Sequence, residues 1–238
     1  MAKPVYKRVL LKISGEALAG DKHQGLDFDM IGTVVDTIKE CLDLGVQVGL
    51  VVGGGNFWRG AKNCGGEMER SRADHMGMLA TVMNSLAVAD VCAQKGVPAE
   101  VQTAIAMEPI AEHYSYAKAL KKLEEGTVVI FAAGSGNPFF STDTAAVLRA
   151  AEIHADVILL AKNVDGVYTA DPLKDPTATK YDTISYDEVL AKHLMVMDTT
   201  ATSLAMDNHI PVLLFALKDP RNIIRALSGE NVGTIVKE

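Results

Sequence analysis

A lysine stands at the end of an apolar run, directly before a glycine turn, in the segment Lys12-Ile13-Ser14-Gly15-Glu16. A cation beside backbone N–H groups can hold a phosphate. Gly15 and Gly20 have the glycine spacing of a Walker A loop, but Asp21-Lys22 replaces the required Lys-Ser/Thr pair. The segment therefore predicts a phosphate site of another kind, although a strand-end lysine taken alone more often faces solvent.

A second glycine segment, residues 53–56 with the sequence Gly-Gly-Gly-Asn, follows another apolar run. Three successive glycines let a backbone approach a ligand closely and permit positive φ. Because Arg59 follows closely, the segment favours a nest of N–H donors for phosphate oxygens over a flexible turn. A dinucleotide-binding fingerprint would need G-x-G-x-x-G opening a helix, which these residues lack.

Two further segments follow apolar runs in the second half of the chain. Residues 133–143 supply glycines, an amide, hydroxyls and two aromatic rings before Asp143, which suits a ligand pocket. Thr142 or Asp143 also has the residue type of a helix N-cap, and a helix N-terminus attracts anions as well. Residues 163–172 contain Asp165-Gly166 between apolar residues, which predicts a tight hairpin projecting from the sheet.

The pattern of the remaining residues predicts how these segments are positioned. Short β-rich runs alternate with stretches of helical spacing, and several runs are apolar without alternation, as in strands covered on both faces. The predicted strands are residues 9–13, 46–52, 98–103, 127–133, 156–161 and 211–215. The predicted helices are residues 29–44, 72–94, 114–124, 144–154, 186–192, 200–208 and 220–227. We expect an α/β fold with a mostly parallel sheet, helices on both sides and ligands at the strand ends.

Composition argues against several classes of protein. The 238 residues carry 23 Lys+Arg against 30 Asp+Glu, a formal net charge of −7, so the chain offers no overall cationic field for nucleic acid or a membrane surface. The three cysteines are far apart, unlike a disulfide framework or zinc site. The first apolar run is interrupted by Lys12 and Ser14, unlike a signal peptide, and no stretch approaches the roughly 20 apolar residues of a membrane span. We expect one cytoplasmic domain over residues 1–238.

Residues 12–16, 53–56 and 164–172, in that order, resemble the amino-acid-kinase family, which includes aspartate, glutamate, acetylglutamate and carbamate kinases. The resemblance covers essentially the whole chain. Residues 72–81 and 136–143 are similar to the acceptor segments of the bacterial branch that phosphorylates UMP. The resemblance therefore implies a three-layer αβα sandwich that moves the γ-phosphate of ATP, bound with Mg²⁺, onto UMP.

The resemblance also implies roles for individual residues. The implied ATP-binding residues are Lys12, Ile13, Ser14, Gly15, Gly55, Arg59, Asn163, Tyr168 and Asp171. The implied UMP-binding residues are Gly54, Asp74, Ser135, Gly136, Asn137, Pro138, Phe139, Phe140, Ser141 and Thr142. Lys12, Asp143 and Asp198 are the implied catalytic residues, with Asp143 organising the lysine and magnesium region, and no residue is assigned as a direct metal ligand. UMP would bind mainly to the N-terminal half and ATP mainly to the C-terminal half.

Two positions depart from the family pattern. Many relatives read Ala-Thr-Lys where this chain has Ala161-Lys162-Asn163, which leaves the contact to the adenine open. Ser141 stands where a threonine is common, and this change keeps the hydroxyl.

An apolar stripe at helical spacing, formed by Met76, Leu79, Met83 and Leu86, is typical of core packing or of a subunit interface. The resemblance implies a homohexamer assembled from dimers, activated by GTP and inhibited by UTP. Two alternatives remain: a relative that phosphorylates a carboxylate or carbamate, and a non-catalytic nucleotide-binding or metal-storage protein. Asp74 and residues 137–140 favour a nucleotide acceptor, and the presence of Lys12 and Asp143 favours catalysis.

Overall fold

Nine strands form one mixed sheet in the computed structural model, which describes residues 3–22, 24–59, 68–170, 172 and 174–238. The strands are β1 (Arg8–Ile13), β2 (Gln47–Val52), β3 (Ala99–Thr103), β4 (Glu112–His113), β5 (Val128–Ala132), β6 (Val157–Lys162), β7 (Thr183–Ser185), β8 (Val212–Ala216) and β9 (Thr234–Lys237). Their spatial order is β4-β3-β5-β2-β1-β6-β8-β9-β7. Every neighbouring pair is parallel except β8 with β9, which confirms the mostly parallel sheet.

The helices that the structure describes connect these strands. They are α1 (Gly15–Leu18), α2 (Phe28–Asp43), α3 (Arg70–Gln94), α4 (Tyr116–Glu124), α5 (Thr142–Glu152), α6 (Tyr186–Ala191), α7 (Thr199–Asp207) and α8 (Asn222–Leu227), with a 3₁₀ turn at Gly20–Lys22. All predicted strands and helices are present, with ends displaced by no more than two residues. The sequence pattern does not predict α1, β4, β7 or β9, because elements of two to four residues are too short to show a hydrophobic period.

Helices cover both faces of the sheet, which confirms the three-layer αβα arrangement. Side chains alternate along each strand, so neighbouring residues such as Leu10 and Leu11 enter different hydrophobic clusters. The Leu11 cluster contains buried residues of α2, α3 and α8, and the Leu10 cluster contains buried residues of α4, α5, α6 and α7. Lys12, two residues after Leu10, lies on the same face as Leu10 and points towards α5.

Helix α3 combines a buried face with an exposed apolar stripe. Its length and composition would suit a membrane span, because an 18-residue window has a mean hydropathy of 1.5. The expectation that no stretch approaches a membrane span is therefore wrong for the composition of this segment. Half of the window is buried inside the protein, as in the core helix of a globular fold. Met76, Leu79, Met83 and Leu86 remain 38–50% exposed, so core packing does not account for the stripe.

The tight hairpin predicted at Asp165-Gly166 is not formed. Residues 163–166 form a bend, and the antiparallel pairing lies further along, where Tyr181 N donates to Val167 O (2.9 Å) and Thr169 N donates to Thr179 O (3.0 Å). Buried Val167 donates its own N–H to Thr234 Oγ1 (2.8 Å), which ties the segment to β9. This tertiary contact decides the backbone path, and Val164 stays half exposed without a strand partner across the turn.

Candidate active site

The four motif segments meet at one edge of the sheet because they follow neighbouring parallel strands. β5, β2, β1 and β6 are adjacent in that order, so the loops at their carboxyl ends leave the sheet side by side. A cavity of about 390 Å³ opens between the loops. The predicted ligand-binding residues that line it are Lys12, Ser14, Gly15, Gly54, Gly55, Arg59, Asp74, Ser135, Asn137, Phe140, Ser141 and Thr142.

Close packing of backbones explains the glycines around this cavity. A Cβ on Gly15 would lie 2.5 Å from Gly53 O, and a Cβ on Gly54 would lie 2.8 Å from Gly77 O. Neither space could hold a larger side chain without moving backbone. Gly53, Gly54 and Gly55 all avoid positive φ. The positive φ that these glycines permit is therefore not used, and lack of space is the reason for glycine at positions 53 and 54.

Two buried asparagines fix the second glycine segment in place. Asn84 of α3 donates to Gly53 O (2.6 Å) and to Asn56 Oδ1 (2.7 Å), and Asn56 Nδ2 donates to Gly25 O (2.6 Å). Both side chains are buried, so these bonds replace water that the amides have lost. Sequence reasoning missed Asn84; the available signal was an amide inside an apolar helical stretch.

Lys12 lies on the floor of the cavity, and Asp143 and Lys162 stand behind it, where they line a neighbouring cavity. Lys12 Nζ lies 2.5 Å from Asp143 Oδ1, and Lys162 Nζ lies 3.3 Å from Asp143 Oδ2, so one carboxylate stands between two ammonium groups. Burial alone raises the pKa of Asp143, but the charges of Lys12 and Lys162 outweigh it and hold that pKa below its ordinary value. Burial and the like charge of Lys12 lower the pKa of Lys162, although Asp143 opposes them. This arrangement keeps cationic groups where phosphate charge could be neutralised.

The opposite wall of the cavity joins α3 to the loop after β5. Asp74 Oδ2 accepts hydrogen bonds from Arg70 Nε and from the backbone N–H of Phe139, each at 2.8 Å. Phe139 has a φ of 71°, a left-handed conformation that is costly for a side chain of this size, and the Arg70 guanidinium lies 5.3 Å from its ring centre. The structure thus brings together Asp74 and residues 135–140, which the sequence placed on separate elements.

A model of the amino acid kinase family matches residues 7–216 of the chain. The chain belongs to the amino acid kinase family. The crystal structure of UMP kinase from Bacillus anthracis superposes with a TM-score of 0.94 at 38% identity, over 98% of this chain and 96% of that one. UMP kinase from Ureaplasma parvum gives 0.92 at 37% identity, over 98% and 99% of the two chains. Uridylate kinase from Archaeoglobus fulgidus gives 0.71 at 28% identity, over 96% and 99%.

Ser141 and Asp198 connect two helix N-termini next to the charge cluster of this family member. Ser141 is the N-cap of α5, with Oγ accepting from Asp143 N (3.0 Å) and Thr144 N (3.1 Å), so the prediction that Thr142 or Asp143 caps the helix is wrong. Because Ser141 caps the helix, the Asp143 carboxylate is free to face the lysines. Asp198 is the N-cap of α7 and accepts hydrogen bonds from Ala201 N (2.9 Å), Thr144 Oγ1 (3.1 Å) and the Ser141 hydroxyl.

Other predicted residues lie away from the cavity. The Ile13 side chain is in the core, and Gly136, with a φ of 80°, packs against Ala104. Pro138 belongs to the loop after β5 but does not line the cavity. Tyr168 donates to Asp165 Oδ1 (3.0 Å), and Asp171 lies outside the described residues.

A second cavity continues from the first on the far side of Glu16. It measures about 570 Å³, and Asn163, Asp21 and Lys218 are among its lining residues. Glu16 lines both cavities and forms an ion pair with Arg59 at their junction. Among the described residues, two cavities therefore adjoin at Glu16.

The chemistry of the site suits a magnesium ion that arrives with a nucleotide. The described residues contain no cluster of three or more His, Cys, Asp or Glu side chains that could hold an ion. Asp143 faces two lysines, and Asp198 is occupied by hydroxyls and a helix N–H. Mg²⁺ in kinases binds chiefly to substrate phosphates and water with few protein ligands, and the residues present fit that mode.

Proposed function

We propose that this amino acid kinase transfers the γ-phosphate of ATP to UMP, giving ADP and UDP. The observation that carries the proposal is the position of Lys12 on the floor of a cavity whose opposite wall contains Asp74, Ser135, Asn137 and residues 140–142. A small-acid acceptor would not need a wall of this extent. The two structures at 37–38% identity that cover nearly the whole chain are both UMP kinases, which supports the same acceptor here.

The proposal places the two substrates in the two adjoining cavities. UMP would occupy the cavity beside Asp74 and the loop after β5, and the nucleoside of ATP would occupy the cavity beside Asn163. Their phosphates would meet over Lys12, Gly15 and Gly55. This assignment treats residues 1–238 as a single kinase domain, with UMP mainly on the N-terminal half and ATP mainly on the C-terminal half.

The reaction needs in-line positioning and charge neutralisation more than a base. A UMP phosphate oxygen attacks the γ-phosphorus, its new P–O bond forms as the bond to the β-phosphate oxygen breaks, and ADP leaves. That oxygen is already ionised at neutral pH, so Asp143 acts by orienting Lys12 rather than by removing a proton. Lys12 and the backbone N–H groups of the glycine loops would stabilise charge on the transferring group.

Mg²⁺ would enter with ATP and, when bound, would neutralise charge on the β- and γ-phosphate oxygens. Its protein contacts would be few, because Asp143 and Asp198 already have partners. Asp198 would therefore support the site by holding the start of α5 in place.

We also propose that the exposed stripe of Met76, Leu79, Met83 and Leu86 on α3 is a subunit interface within a homohexamer of dimers. Exposed apolar side chains in a continuous row are typical of such surfaces. Light scattering should show an oligomer for the wild type and a smaller species for Leu79→Glu; a monomeric wild type would reject the proposal. Activation by GTP, inhibition by UTP and a cytoplasmic location are expected from the family resemblance.

The direct test is ADP release from ATP and Mg²⁺ in a coupled assay, with UMP, CMP, dUMP, aspartate, glutamate and carbamate offered separately. We expect turnover largely confined to UMP. Activity with an acid and none with UMP would overturn the acceptor, and no activity with any acceptor would reject catalysis.

A further inference from the structure

Lys162 is the last residue of β6, and the register of the sheet brings it to Lys12. β6 pairs with β1 so that Lys12 lies opposite Leu160. Since side chains alternate along a strand, Lys162, two residues after Leu160, points to the same face as Lys12. Asp143 at the start of α5 approaches that face, and each lysine contacts a different oxygen of its carboxylate.

Two acceptors hold the Lys162 ammonium in place. Lys162 Nζ donates to Asp143 Oδ2 (3.3 Å) and to Val196 O (2.5 Å). Val196 is buried and precedes Asp198, the N-cap of α7. Lys162 therefore connects β6, α5 and the segment before α7 at one point, whereas a solvent-facing strand-end lysine would make no such contacts.

The position of Lys162 is electrostatically costly. Burial and the nearby Lys12 charge both lower its pKa, and only Asp143 and Asp198 oppose them. Perturbation by burial together with a specific charge partner is typical of functional sites. If Asp143 were paired with Lys12 alone, the whole negative charge of its carboxylate would act on Lys12. The carboxylate would then compete with any phosphate for the Lys12 ammonium.

We propose that Lys162 is a positioning residue that shares the Asp143 carboxylate, which contacts Lys12 through Oδ1 (2.5 Å) and Lys162 through Oδ2 (3.3 Å), and so neutralises part of the negative charge that acts on Lys12. The Lys12 ammonium then stays available to phosphate groups in the cavity. This inference rests on the proposed phosphoryl transfer and adds to it a second lysine that acts through Asp143. It assigns no direct contact between Lys162 and substrate.

A double-mutant cycle tests this coupling. Lys162→Gln should lower kcat about 10- to 100-fold while the KM for UMP changes less than about threefold, because the loss lies in the transition state. Lys162→Arg, which keeps the charge, should recover most of the lost turnover. In the double mutant that combines Lys162→Gln with Asp143→Asn, the fold loss of kcat should be well below the product of the two single losses. The reason is that no carboxylate then remains to hold Lys12.

Three results would overturn the proposal. The first is a double mutant whose loss of kcat equals the product of the two single losses. The second is no recovery of kcat with Lys162→Arg, and the third is a wild-type kcat for Lys162→Gln at equal folded concentration. Lys122→Gln is the matched control, because Lys122 lies 2.9 Å from Glu100 in an ion pair outside the cavity. It should leave kcat unchanged.

A second measurement separates this inference from the proposed function. A wild type that does not phosphorylate UMP overturns the proposed function, and carboxyl ¹³C NMR can then still test the sharing of Asp143. The charged groups around this carboxyl are Lys12 from β1, Lys162 from β6 and Asp198 before α7, and His193 lines the neighbouring cavity of about 610 Å³. Lys162→Gln should raise the Asp143 titration midpoint, and an unchanged midpoint overturns the sharing.

Discussion

The two walls of the central cavity are built by different physical means. In the wall formed by Asp74 and the loop after β5, the loop is exposed at Phe139 and Phe140, and the wall depends on hydrogen bonds to backbone and on left-handed conformations at Ala133 and Phe139. The floor is formed by the almost fully buried Lys12, which is held from behind by Asp143 and Lys162 through opposite charges at short range.

This difference indicates what each wall can contribute. An exposed loop held by one carboxylate recognises the shape of a ligand, and losing one contact should weaken binding. Buried charges with little access to water act strongly on charge that develops during reaction. We therefore expect changes in the Asp74 wall to appear mainly in KM and changes in the charged floor to appear mainly in kcat.

The largest effect is expected for Lys12→Ala. Lys12 is almost fully buried near the end of β1, and it lies on the floor of the cavity. Removing it should lower kcat by about 10³-fold or more, as loss of a transition-state charge partner does. Steady-state kinetics with saturating ATP and UMP would measure this loss.

The Lys12→Ala result needs a check on folding, because the substitution leaves Asp143 with one cation fewer. Circular dichroism should show an unchanged fold, and Lys122→Ala serves as a control outside the site. Turnover near the wild-type value would contradict the assignment of Lys12 and remove the contrast between the two walls.

The next largest effect is expected for Asp74→Asn. The amide would keep the size of the side chain but lose the charge that pairs with Arg70, and its hold on Phe139 N–H would weaken. The KM for UMP should rise by about 10- to 100-fold, with a much smaller change in the KM for ATP. Initial rates with each substrate varied in turn would separate the two. Equal increases would indicate that Asp74 supports the structure of both adjoining cavities.

Much of the fold could be predicted because its signals are local. The β1, β2, β5 and β6 runs are mainly apolar, and glycines that follow β1, β2 and β5 within two residues mark the ends of those strands. The same reasoning placed Lys12 and Asp143 near one edge of the sheet, since parallel strands end together.

The remaining features depend on tertiary contacts that sequence spacing does not encode. Asp165-Gly166 has the residue types of a hairpin turn, yet Thr234, far along the chain, takes the Val167 N–H. Lys162 looked like a departure from a family motif, and only the register of β6 with β1 brings it to Asp143. Asn84 likewise becomes important only because α3 packs against the glycine segment.

A smaller effect, on stability, is expected for Asn84→Ala. The substitution removes the hydrogen bonds that Asn84 donates to Gly53 O and Asn56 Oδ1, so the free energy of unfolding should fall by about 1–3 kcal/mol. Urea unfolding would measure the change. Asn208→Ala is the matched control, because its amide bonds Leu204 O at an exposed helix end and should cost much less. Equal losses would contradict a specific role for the buried amide pair.

The smallest effect expected is the change with pH in the contribution of Asp143 to the free energy of unfolding. Although burial raises it, the pKa of Asp143 is held below its ordinary value by Lys12 and Lys162. Ionised Asp143 therefore stabilises the fold above the ordinary carboxyl pKa of about 3.9, and this stabilisation is lost as pH falls through the lowered pKa. The difference in unfolding free energy between wild type and Asp143→Asn should shrink as pH falls from about 6 to about 3.

Asp36→Asn is the control, because Asp36 forms an exposed ion pair with Lys95; its difference in unfolding free energy from the wild type should stay near zero throughout. A wild-type advantage that stays constant with pH would mean that the lysines do not set the ionisation of Asp143, and the electrostatic contrast between the two walls would fail.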